Sequence, residues 1–134
     1  MCKTFFLLAA LAFTGGIKAQ SIEQQAASLA QQQLDAYNKR DIEAFLLPYA
    51  DSVAVYDYPG KLLYTGKAEM RRQYAGMFAQ LPDLHCTLVK RIVLGNIVID
   101  EESVIFNKNR PAVRAIAIYT ITGNKISEVR FISR

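Results

Sequence analysis

The sequence predicts an α+β domain, with helices first and a long antiparallel meander after them. Three observations lead there. Apolar residues recur at three- and four-residue steps from Ile22 to Tyr37 and again from Met70 to Leu81, the period of a helix that buries one face. From residue 84 onward the chain reads as strand, interrupted only by Gly95-Asn96, residues 107–111 and Thr122-Gly123-Asn124. The two patterns do not alternate, which excludes a parallel βαβ arrangement. The chain has 134 residues, 51% of them hydrophobic and 21% charged, which fits one globular domain and excludes disorder throughout.

Each element follows in order. Residues 1–19 carry Lys3, an apolar run over 5–13 and a small residue, Ala19, where a cut would fall, the pattern of a secretory signal peptide. The run is about half the roughly 20 residues a bilayer-crossing helix needs. Cleavage after Ala19 leaves a domain of residues 20–134 with no membrane attachment, lowers the net charge from +4 to +2 and places the protein in the periplasm or outside the cell. Ser21 and Gln24 have capping-box spacing, so a helix starts there and runs to about residue 38, with Ala26, Leu29, Ala30 and Leu34 on its apolar stripe. Asp41 caps a short second helix that Pro48 limits. A strand follows from Ser52, with Val53, Val55 and Asp57 on one face. Pro59-Gly60 turns the chain into a short returning strand at 62–64. Gly66 and Glu69 open a third helix that Pro82-Asp83 ends, and strands are expected at 84–94, 97–106, 112–121 and 125–132, joined by three hairpins.

Composition removes several function classes. Lys plus Arg number 16 against 12 acidic residues, with no run of five or six like charges, which argues against nucleic-acid binding. One His and two Cys cannot build a Cys/His zinc site, and loss of Cys2 with the leader would leave Cys86 without a disulfide partner. Cys86 is expected in the core. No phosphate loop, Ser-His-Asp order or dinucleotide fingerprint occurs, so no cofactor is assigned. Hard cations take oxygen ligands, which Asp57, Asp100 and Glu102 could supply, but no metal is assigned.

The segments Asp41-Ile42-Glu43-Ala44, Tyr49-Ala50-Asp51, Val55-Tyr56-Asp57-Tyr58-Pro59-Gly60, Gly66 before a helix, and Gly123 to Phe131 together resemble the nuclear transport factor 2-like superfamily, nearest its SnoaL-like and ketosteroid-isomerase-like branch. The resemblance covers about residues 22–133 and implies N-terminal helices packed on a strongly curved antiparallel sheet around a cone-shaped pocket. It also implies a homodimer formed through the sheet, for which the faces with Arg114, Ile116 and Ile118 and with Leu88, Lys90 and Ile92 are apolar enough.

Carried over residue by residue, the resemblance implies that Asp57 is the general base of a proton transfer next to a carbonyl. The isomerases' helix tyrosine corresponds to Gln33 and their protonated aspartate to Ala117, so their oxyanion pair is missing. Tyr119 and His85 are then the expected acid or oxyanion donors, with Cys86 turned away from His85 by strand alternation. Strand parity from Asp57 also turns Arg91, Asp100, Glu102 and Phe131 inward, and Asp100 and Glu102 on one face must be paired, protonated or cation-bound. Tyr37, Tyr74 and Phe78 complete an aromatic lining. The expectation is an exported protein that binds a small, largely apolar carbonyl compound and performs isomerase- or cyclase-type proton transfer; the alternative is a non-catalytic ligand-binding or dimerisation module.

Overall fold

A computed structural model describes residues 20–134; the expected signal peptide lies outside the described residues. Helix α1 spans Ile22–Lys39, α2 Ile42–Leu46 and α3 Lys67–Gln80, while strands β1 to β6 span Tyr49–Asp57, Lys61–Thr65, His85–Leu94, Ile97–Ile105, Val113–Thr122 and Lys125–Ser133. Ser21 and Gln24 satisfy each other's backbone N–H at 3.1 and 3.0 Å, which sets the start of α1. Asp41 accepts from the Ala44 N–H at 3.1 Å and starts α2 in the same way. Gly66 begins α3 at φ 91°, a conformation that side chains disfavour, while its N–H bonds the Val53 carbonyl at 2.7 Å.

The six strands form one curved, open sheet in the order β2-β1-β6-β5-β4-β3. The three expected hairpins are present, β3 through β6 pairing antiparallel in sequence. The sheet is not wholly antiparallel, however: β1 pairs with β6 in parallel. The cause is α3. Because β2 and β3 both run opposite to β1, α3 is a crossover that carries the chain to the far edge, and three reversals then bring β6 back beside β1 in the same direction. That crossover also places α3 on the concave side, against β1 and β2, while α1 lies over β3 and β4.

Ala26, Leu29, Ala30 and Leu34 of α1 bury against Val98, Ala117 and Val129 of the sheet, and Phe45 of α2 closes the gap between the helices. Two polar locks fix α1. The Asn38 side chain bonds both the C=O and the N–H of Cys86, at 2.9 and 2.8 Å, engaging the free side of the edge strand β3. Arg91 donates to both oxygens of fully buried Asp100, at 2.7 and 2.8 Å, and to Gln31 at 2.9 Å, tying β3 and β4 to the helix.

Strand parity holds for β4 and β5 and for Val129 and Phe131 of β6, where Ser127 is an extra residue that also turns Ile126 inward, but fails in β3. Leu88 pairs with Glu102 and Lys90 with Glu101, so Val89 is an extra residue in the ladder. On the N-terminal side of this bulge Cys86 and Leu88 face inward; on the far side Arg91 and Val93 do. His85, expected inside, is therefore exposed, and Cys86 takes the inward position. For the same reason Leu88 packs against the core and does not belong to the outer face.

Candidate functional site

The concave side encloses a cavity of about 310 Å³. Its walls combine Tyr37 and Leu34 from α1, Tyr74 and Met77 from α3, and Val104 and Phe131 from the sheet. Its inner end is polar and buried: Gln33, Tyr49, Glu102 and Tyr119 meet there, with Cys86 beside them. Its outer end carries the exposed residues Asp57, Leu63, Phe106 and Ser133. Among the described residues no Lys, Arg or His lines it.

The inner groups form one hydrogen-bonded chain. Tyr49 donates its hydroxyl to Gln33 Oε1 at 3.2 Å, Gln33 Nε2 donates to the Tyr119 hydroxyl at 3.0 Å, and Tyr119 donates to Glu102 Oε1 at 3.4 Å, the longest link. Burial raises the Glu102 carboxyl from 4.5 to about 7; the charge of Asp100 adds to the rise, while hydrogen bonds from Tyr119 and Cys86 and the charge of Arg91 oppose it. Burial also pushes Tyr119, Tyr49 and Tyr74 well above the ordinary tyrosine value, and the Cys86 thiol upward with added repulsion from Glu102. These groups are held neutral, so Cys86 is no thiolate nucleophile.

Of the site residues expected from sequence, Asp57, Tyr119, Glu102, Tyr37, Tyr74 and Phe131 line the cavity. His85 does not, because of the Val89 bulge. Arg91 and Asp100 do not either: they share the inward face, but their mutual ion pair lies under α1. Phe78 stands behind the wall, its ring 5.6 Å from both Tyr37 and Phe45. The three carboxylates are therefore dispersed, and no cluster among the described residues could hold a metal ion.

Sequence reasoning passed over Tyr49, Met77 and Cys86 as lining residues. Gln33 left a readable signal: it falls on the Ala26, Ala30, Tyr37 stripe, where a polar side chain must be buried and bonded. Tyr49 left none, since it precedes the residue at which alternation becomes visible.

Comparison with known proteins agrees with this architecture. The family of SnoaL-like domains matches residues 30–129, and the chain belongs to that family. A cystatin-fold protein from Novosphingobium aromaticivorans is 26% identical, over 85% of this chain and 99% of the other, with a TM-score of 0.72. A SnoaL-like protein from Burkholderia thailandensis is 18% identical over 86% and 99%, also at 0.72. A proposed ketosteroid isomerase from Kribbella flavida is 19% identical over 87% and 82%, again at 0.72. No protein of curated description matches the chain.

Proposed function

We propose that the cavity binds a small, largely apolar carbonyl compound and that Asp57 moves a proton on it. The observation that carries this reading is the polarity of the cavity: apolar and aromatic walls, a buried hydrogen-bonding end at Glu102 and Tyr119, and a carboxylate, Asp57, at the mouth. Such walls reward burial of a hydrocarbon skeleton, and a few convergent polar groups orient it. A carbonyl oxygen held at the inner end leaves the neighbouring carbons along the wall toward Asp57, which can take a proton from one and return it to another. The fold supports isomerase- or cyclase-type chemistry only by analogy.

The test is deuterium uptake next to the carbonyl of a bound apolar ketone, followed by NMR in heavy water. The wild type should accelerate uptake, and Asp57→Asn should lose about a hundredfold or more while still binding the ketone. Uptake that survives in Asp57→Asn removes the assigned base. The exposure of Asp57 favours a second reading, a binding module without turnover, which predicts tight binding and no uptake in either protein.

We also propose export, with cleavage after Ala19, supported by the leader pattern and by a capping box that starts the domain at Ser21. The intact mass of protein recovered from the periplasm or medium should begin at Gln20; a chain kept whole in the cytoplasm would overturn it.

A further inference from the structure

The amide of Gln33 admits one orientation. One of its terminal atoms lies 3.1 Å from the Ala30 carbonyl oxygen, which only accepts, so that atom is the nitrogen. The same nitrogen reaches the Tyr119 hydroxyl at 3.0 Å, and the amide oxygen takes the Tyr49 proton at 3.2 Å. Tyr119 thus accepts from Gln33, and its single proton points onward to Glu102 Oε1. The chain runs one way, toward the carboxyl, and a proton on Glu102 is left for Oε2.

Resting on the reading of the cavity as a site for carbonyl compounds, we propose that Glu102 binds the ligand as a neutral carboxyl, donating Oε2–H to the carbonyl oxygen, and that Gln33 is the positioning residue that sets this direction. Burial and the charge of Asp100 favour the neutral form and outweigh the hydrogen bonds from Tyr119 and Cys86 and the charge of Arg91. On its own strand Asp100 repels a charge on Glu102, and Arg91 of β3 spends two donors on Asp100. Cys86 of β3, Tyr119 of β5, Tyr37 of α1, Tyr49 of β1 and Tyr74 of α3 all face the carboxyl as neutral groups. With no cation in the lining, a carboxylate ligand would be desolvated without a partner. An ammonium group held at the inner end, away from Asp57 at the mouth, would instead require ionised Glu102. The site therefore selects uncharged acceptors over both ions, and the selection holds below the Glu102 midpoint of about 7.

Three probes of one shape separate the cases: 2-acetylnaphthalene, 2-naphthoate and 2-naphthylmethylammonium, titrated by calorimetry from pH 5.5 to 8.5. The ketone should bind best at pH 5.5 and weaken about thirtyfold by pH 8.5, as the neutral fraction falls. The naphthoate should bind weakly throughout, and the ammonium should gain as the ketone loses. Glu102→Gln keeps an N–H donor at every pH, so its ketone affinity should be flat and match the wild type at pH 5.5. Gln33→Leu weakens the Tyr119 bond that favours ionised Glu102, so the midpoint of the ketone profile should move upward, a change that loss of packing alone does not produce.

A ketone that binds the wild type with a flat pH profile overturns the proposal and leaves the cavity reading standing. So does loss of ketone binding in a Glu102→Gln protein that melts normally. If none of the three probes binds, the cavity reading itself fails, and this proposal with it.

Discussion

Glu102 is the residue whose chemistry departs furthest from its solution behaviour. Its carboxyl sits at about 7 in the folded chain against 4.5 in the open, so the folded state holds its proton more tightly. The stability this adds is complete below pH 4.5 and is lost as pH rises to 7, by on the order of 3 kcal/mol. Glu102→Gln should remove that slope: the wild type melts progressively lower from pH 4.5 to 7, whereas the variant does not, as calorimetric melts across that range would read. Asp100, two residues earlier on the same face, is paired: Arg91 donates to both of its oxygens. Asp100→Asn leaves a guanidinium under α1 without its counter-charge and should destabilise by about 3 kcal/mol in denaturant titration. A loss under 1 kcal/mol would mean that water reaches the pair. The sequence shows that Asp100 and Glu102 share a face, but not that one is paired and the other holds its proton more tightly, since Arg91 reaches only the former.

At the scale of elements, α1 does most to shape the site. Its capping box, apolar stripe and the polar interruption at Gln33 are all legible in the sequence, because they depend on neighbours three and four residues away. Its last turn is different. Asn38 reads as a helix terminator, yet its amide grips the backbone of Cys86, 48 residues on. Asn38→Ala should cost about 1 to 2 kcal/mol and speed hydrogen exchange at the Cys86 N–H more than at the centre of β4. Equal exchange rates in the two proteins would show the lock to be dispensable. The β3 strand carries the error of the sequence reading: one extra residue at Val89 turns His85 out and Cys86 in, and no local pattern marks a bulge in an apolar run.

Across the whole molecule the sheet presents its other face outward, where Ile92, Ile99 and Ile118 pair in register across β3, β4 and β5. Lys90 and Arg114 flank Glu101 there, and Arg114 and Glu101 form an ion pair. We propose that a second copy covers this face, since side-by-side opposite charges allow a two-fold pairing of one surface with itself. Light scattering should give twice the monomer mass, and Ile118→Glu should return it to a monomer with its melt and its cavity unchanged. A wild type that remains monomeric at high concentration would remove the proposal.

What the chain determined by itself was the kind and order of its elements, the α+β class and the inward faces of β4 and β5, because helix and strand periods and turn residues act over a few positions. The family resemblance added the curved sheet and pointed to Asp57. Tertiary structure alone decided three things: that β1 lies parallel to β6, that Val89 shifts the face of β3, and that Gln33, Tyr49, Tyr119 and Glu102 converge on one chain of hydrogen bonds. Each depends on contacts between residues far apart in sequence, and the protonation of Glu102 depends in turn on how much water those contacts exclude.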